Sequence, residues 1–122
     1  LYRLRREDFG ELQHVDGVMI GREAYHNPYV MAGWDARFYG DATPSKSREQ
    51  VLEAMIPYIR AELERYGPLG LRLNSITRHM LGLMAGLPGA RAYRQMLSDA
   101  RRLAAGNPEL LLEAAGRLRL AA

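Results

Sequence analysis

His14-Val15-Asp16-Gly17-Val18-Met19-Ile20-Gly21-Arg22 is the stretch on which the fold class turns. It is a short apolar run between two glycines, rich in β-branched residues and without polar alternation. That pattern predicts one strand over residues 15–20, buried on both faces as strands of parallel sheets are. No other segment reads as a convincing strand. A single strand cannot pair its own backbone groups. Its sheet is therefore expected outside these 122 residues, or the segment is not a strand. The rest reads as helix, so the expected fold is mainly α: one short strand followed by a helical bundle.

Working outward, residues 5–13 read as the end of a surface helix, with Phe9 and Leu12 three apart among charges. Downstream, Asn27-Pro28 pairs a capping residue with a proline at the first helical position. A helix is expected from there to about Phe38, stopping before Gly40. Gly40-Asp41-Ala42-Thr43-Pro44-Ser45-Lys46 has linker composition, which divides the chain into modules 1–40 and 47–122 with a linker at 41–46. Ser47 followed by Gln50 is a capping box. Leu52, Met55, Ile56, Ile59 and Leu63 follow at helical spacing, with a kink expected at Pro57. Ile76, Met80, Leu83 and Leu87 mark another helix ending near Gly86–Gly89. One further helix is expected over 89–104, and Asn107-Pro108 opens a last one to about Leu118.

A chain of 122 residues holds one ordinary domain but falls short of the ~250 residues of a complete (β/α)₈ barrel. The 48% hydrophobic and 25% charged content fits a globular chain rather than a disordered one. No apolar run approaches the ~20 residues of a membrane span. With no cysteine, disulfides, thiolate metal sites and cysteine nucleophiles are excluded within these residues. His14, His26 and His79 lack metal-ligand spacing, so no metal site is expected. The chain begins at Leu1 in mid-pattern and reads as a piece of something larger. Of the 17 basic residues, all but Lys46 are arginine. Residues 1–66 carry nine basic and eleven acidic groups, a net of −2, and residues 67–122 carry eight and three, a net of +5. Such asymmetry suits an anionic partner for the second half, although +5 is also ordinary for a chain segment of that length.

Three places could carry chemistry. Gly21-Arg22 ends the candidate strand, where a glycine admits an anion to the backbone and an arginine adds a charged fork. In (β/α)₈ barrels a phosphate often sits after strands 7 and 8. The bland alternative is a turn glycine beside a surface arginine. On the helix expected over 89–104, advancing 100° per residue puts Arg91, Arg94, Ser98, Arg101 and Arg102 within an arc of about 100°. Tyr93, Met96, Leu97, Ala100, Leu103 and Ala104 fall opposite, and Asp99 lies off the arc. Like charges on one helix face repel unless an anion screens them, and a phosphate backbone would do so. A solvated charged face is the competing reading. Third, Arg78 extends the basic surface, while His79 beside it lacks the partners of a catalytic set and reads as structural.

Val15-Asp16-Gly17-Val18-Met19-Ile20-Gly21-Arg22-Glu23-Ala24-Tyr25 with Asn27-Pro28 resembles the end of the flavin barrel of tRNA-dihydrouridine synthases. Ile76-Thr77-Arg78-His79-Met80-Leu81-Gly82-Leu83, then Gly86-Leu87-Pro88-Gly89-Ala90-Arg91, with Arg94 and Leu97-Ser98, resembles the helical domain of the family's A-type branch. The two blocks come in the family's order and span nearly the whole chain. The resemblance implies a cytoplasmic enzyme that reduces D-loop uridines of tRNA near position twenty to dihydrouridine, using FMN reduced by NADPH. It implies that residues 1–40 close the barrel and that residues 47–122 bind tRNA. It matches Gly21 and Arg22 to the pair that holds the FMN phosphate. It matches Arg91 and Arg94 to tRNA contacts, with Arg78, Arg101 and Arg102 as further candidates.

The chain departs from the family pattern in three ways. The cysteine that protonates the uracil ring is absent, so these residues alone are expected to be inactive. Gly67–Asn74 is longer than is usual, and Tyr93 stands where a tryptophan is common. A stand-alone helical RNA-binding module would share the arginines without needing the barrel. A piece of another flavin barrel would explain Gly21-Arg22 but not the second block.

Overall fold

A computed structural model describes residues 15–121, with side chains to residue 118. The readings made at residues 5–13, including Phe9 and Leu12, and at His14 lie outside the described residues. Among those described the chain is helical and forms no strand: α1 (Arg22–His26), α2 (Trp34–Tyr39), α3 (Arg48–Tyr66), α4 (Leu73–Thr77), α5 (Ala90–Met96), α6 (Ala100–Ala104) and α7 (Leu110–Ala121). The mainly α bundle expected from the sequence is therefore observed. The strand expected over 15–20 is not. Residues 17–20 carry no regular structure, and Val15, Val18 and Met19 are exposed, Met19 by 88%. A strand exists through its ladder of backbone bonds, and the described residues offer this segment no second strand.

Of the helix starts expected from capping residues, those at Ser47 and Asn107 form, whereas the Asn27 side chain caps nothing. Ser47 Oγ accepts from the Gln50 amide at 3.1 Å, and Gln50 Oε1 accepts from the Ser47 amide at 2.8 Å. This reciprocal pair opens α3, which buries Leu52, Ile56 and Ile59. The helix runs on through Pro57. That proline withholds the amide that Glu53 would otherwise receive, but both residues are exposed, and water can serve the orphan carbonyl. At Asn107, Oδ1 accepts from the Glu109 amide at 3.1 Å and starts the turn into α7. Gly40 ends α2 with φ of 65°, the left-handed value that glycine adopts without strain.

Three expected helices are subdivided. Residues after Asn27-Pro28 form a 3₁₀ turn, Pro28–Gly33, before α2 begins. The helix expected around Ile76–Leu87 is α4, a turn, and a 3₁₀ turn at Leu81–Met84. The helix expected over 89–104 is two helices. It breaks at Leu97–Asp99, where Asp99 Oδ1 accepts from the Arg101 amide at 3.0 Å and caps α6. The single arc of Arg91, Arg94, Ser98, Arg101 and Arg102 is thereby corrected: Arg91 and Arg94 share α5, whereas Arg101 and Arg102 stand on α6. An acid also enters the set, since Asp99 Oδ2 lies 3.4 Å from Arg102 Nε. Asp99→Ala should cost about 1 kcal/mol by loss of the cap, measured by thermal or urea unfolding. A variant as stable as the parent would show that the cap contributes nothing.

The core lies where α3, α5 and α7 meet, with α4 and the Leu81–Met84 turn against it. Leu52, Ile59, Leu73, Tyr93, Leu97 and Leu111 are its fully enclosed large side chains, with Thr77 among them. The Thr77 hydroxyl donates to the Leu73 carbonyl at 3.3 Å, so burial leaves it satisfied. The most extensive helix pair is α5 on α7.

Residues before α3 are strapped to this bundle by side chains. Tyr29 Oη donates to the Lys46 carbonyl and Ser45 Oγ to the Ala32 carbonyl, each at 2.7 Å. The Arg48 guanidinium sits 4.0 Å from the Tyr29 ring centroid while its Nε donates to the Leu83 carbonyl at 2.9 Å. Residues 41–47 lack regular structure yet are held in place. Within them, Asp41 accepts from the Thr43 amide at 2.8 Å, which draws its carboxyl below the ordinary value.

Candidate nucleic-acid interface

The site is built on a close backbone approach. A Cβ at Gly82 would lie 2.8 Å from the His26 carbonyl carbon, nearer still to its oxygen, and 3.1 Å from the Tyr25 carbonyl oxygen. Only glycine lets the Leu81–Met84 turn seat against α1. From the other side, the buried Tyr93 hydroxyl of α5 donates to the Met80 carbonyl at 2.9 Å and holds the turn that follows α4. Burial pushes the Tyr93 phenol well above its ordinary pKa, so it remains a neutral donor. With Tyr93 and Met96 turned inward, Arg91 and Arg94 of α5 face solvent.

These constraints create a cleft of about 310 Å³ lined by Tyr25, His26, Arg78, His79, Leu81, Gly82, Ala85 and Arg94. Tyr25 Oη lies 3.0 Å from His79 Nδ1, and Arg78 Nε donates to His79 Nε2 at 3.2 Å. A guanidinium can only donate, so Nε2 is the accepting nitrogen of this pair and Nδ1 is the one that carries the hydrogen. That hydrogen points at the Tyr25 oxygen, which leaves the tyrosine its own O–H to offer. The Tyr25 ring meets His26 at 5.5 Å and His79 at 5.9 Å between centroids, both edge to face. No carboxylate lines the cleft, and among the described residues neither Arg78 nor Arg94 has an ion-pair partner.

The structure brings two of the sequence-predicted arginines, Arg78 and Arg94, to one cleft, with Arg91 one turn earlier on α5. It does not bring Arg101 or Arg102 there. Arg102 lines a separate hollow with Gln95, Asp99 and Arg117. Gly21 and Arg22 are exposed at the start of α1 and lie outside the cleft. The sequence reading of His79 as structural missed its two partners, and it gave Tyr25 and His26 no place in a binding site. Nothing local marks them, since Tyr25 and His79 are 54 residues apart. Among the described residues no group of three or more His, Cys, Asp or Glu side chains could hold a metal ion. No helix among them is long and apolar enough to cross a membrane.

With this geometry in view, comparison with known proteins assigns the class. The chain belongs to the dihydrouridine synthase (Dus) family, whose profile matches residues 7–118. Among its relatives is a tRNA-dihydrouridine(20/20a) synthase of Shewanella oneidensis, 58% identical over 88 residues, which are 72% of this chain and 25% of that protein. Its counterpart in Pseudomonas syringae pv. tomato is 50% identical over 107 residues, covering 87% of this chain and 30% of the relative. The Vibrio parahaemolyticus protein of the same name is 44% identical over 107 residues, 88% of this chain and 32% of its own. The chain thus spans about a quarter to a third of the length of the curated relatives it matches.

Proposed function

We propose that this chain is the C-terminal part of a cytoplasmic, FMN-dependent tRNA-dihydrouridine synthase that reduces D-loop uridines to 5,6-dihydrouridine with NADPH. Residues 1–40 end the flavin barrel, residues 41–46 link, and residues 47–122 form the tRNA-binding helical domain. The observation that carries the reading is the cleft in which Arg78 and Arg94 converge without a carboxylate, in a chain of this family. Two unpaired cations facing one space call for an anion, and the tRNA backbone supplies phosphates. Arg91 extends the basic surface along α5. Arg101 and Arg102 on α6 form a second, outlying contact, tempered at Arg102 by Asp99.

Gly21 and Arg22 fit the FMN phosphate by their donor chemistry. Arg22 is exposed and has no carboxylate partner among the described residues, and a Cβ at Gly21 would meet only the Met19 sulfur, at 3.6 Å. Neither space nor φ, −104° here, demands glycine at that position, and its bare backbone leaves a ligand room to approach. When bound, FMN supplies the hydride chemistry and NADPH restores it. The chain contributes phosphate binding and tRNA placement, since the target base must leave its stack to be reached. It has no cysteine to protonate the uracil ring, so residues 1–122 alone are expected to be inactive.

The test is Arg91→Glu with Arg94→Glu, made in the protein expressed from its complete reading frame. Affinity for an unmodified tRNA transcript should fall at least about tenfold, and the salt dependence of binding should shrink by about two phosphate contacts. The flavin absorbance of the purified protein should stay as in the parent. Unchanged tRNA affinity would overturn the reading.

A further inference from the structure

We infer that the cleft between α1 and the Arg78–Ala85 segment is a subsite for one unpaired nucleotide, with aromatic rings for the base and two guanidinium groups for its phosphate. This rests on the tRNA reading above and adds what that reading does not contain: roles for Tyr25, His26 and His79. Three observations converge. The volume of about 310 Å³ lies at the small end of the ~300–1,000 Å³ of small-molecule sites. That is room for one nucleotide and too little for a helical backbone. Its lining is neither purely basic nor purely apolar. Arg78 and Arg94 bring charge, while Tyr25 and His26 are exposed rings. A duplex buries its bases and shows a protein mainly phosphates. Exposed rings beside arginines suit a strand whose bases are splayed out.

The hydrogen-bond chain explains the third ring. His79 holds Tyr25 at one nitrogen and Arg78 at the other. It therefore fixes an aromatic platform and a phosphate anchor at a set separation. Arg78 spends only Nε on this bond, and its two terminal nitrogens stay available to a phosphate, beside Arg94. The Tyr25 O–H is left to donate to a base carbonyl or to the backbone. His79 is thus a positioning residue, and Tyr25 and His26 are the contacts.

The experiment uses the protein from its complete reading frame, an unmodified tRNA transcript, and a blunt RNA duplex without unpaired bases. Tyr25→Leu and His26→Leu should each weaken tRNA binding about tenfold or more, without changing its salt dependence, because no charge is removed. Tyr25→Phe, which keeps the ring but gives up the hydroxyl's bonds, should lose clearly less affinity than Tyr25→Leu. Duplex binding should be the same in all four proteins, and circular dichroism should show each folded. Equal losses in Tyr25→Leu and Tyr25→Phe, or losses that extend to the duplex, would overturn base stacking in the cleft. Retained tRNA binding that depends on Arg91 and Arg94 but ignores Tyr25→Leu and His26→Leu would overturn this inference and leave the tRNA reading intact. No tRNA binding by the unaltered protein would overturn both.

Discussion

Gly82→Ala should detach α1 and the Pro28–Gly33 turn from the helical bundle. The added methyl would have to occupy space held by the backbone of His26 and Tyr25. A side chain could rotate away, but a carbonyl in a helix cannot move without its neighbours. Forcing a methylene into a packed site costs about 1–3 kcal/mol, and contact with backbone belongs at the upper end of that range. Residues 22–33 contribute only Tyr29 to the hydrophobic core, at its partly buried edge. The cheapest relief is local opening rather than collapse of α3, α5 and α7. Hydrogen exchange should therefore speed up at residues 22–33 and stay slow in α7. The Tyr25–His79 bond would be lost with the docking, and tRNA affinity would fall although no basic residue had changed. Gly116→Ala is the control. Its Cβ would meet nothing within 4 Å, and alanine is favoured over glycine in a helix by about 1 kcal/mol, so stability should rise. Unchanged protection of residues 22–33 in Gly82→Ala would show that the contact is not confining.

Tyr93→Ala should come close to unfolding the bundle. The ring is fully enclosed where α5 meets α7. Removing a large aromatic side chain from a core costs about 3–5 kcal/mol, against a typical total of roughly 5–15 kcal/mol. The hydroxyl adds a separable part. It satisfies the Met80 carbonyl, and a polar group left without a partner costs about 1–3 kcal/mol. Tyr93→Phe isolates that second part: the core stays filled, stability drops by about 1–2 kcal/mol, and the turn carrying Arg78 and His79 loosens. Urea unfolding of the parent, Tyr93→Phe and Tyr93→Ala should give three separate midpoints in that order. Coincidence of the first two would mean that the hydroxyl does not hold the turn.

The divided helix at 89–104 shows how far periodicity can be read. Tyr93, Met96 and Leu97 are buried and Leu103 is partly buried against the same bundle, so helical spacing carries on through the break, although Ala100 is exposed. The pattern records which residues face inward and is indifferent to an interruption between them. Asp99 was the local sign of a new start, as Ser47 was for α3, and a reading by caps rather than by period would have found it. The segment from Ile76 to Leu87 carried no such sign. Its helix ends at Thr77, and the Leu81–Met84 turn that follows is the place where Gly82 must fit against α1, a demand that comes from a distant part of the chain.

What the sequence determined by itself was therefore local or statistical. It held the helical character of residues 47–122, the capping box at Ser47 and Gln50, the helix stop at Gly40, the helix start at Asn107-Pro108, and the basic bias of the second half. Each depends on hydrogen bonds or spacings that span a few residues, or on composition. The tertiary structure alone decided that Arg78 and Arg94 share a cleft, that Arg101 and Arg102 do not, and that His79 bridges Arg78 to Tyr25 across 54 residues. It also left residues 15–20 without a ladder. Local chemistry sets where helices begin and which side they bury. Which ends then meet depends on how the helices pack and how closely two backbones can approach, and no short window of sequence contains both partners.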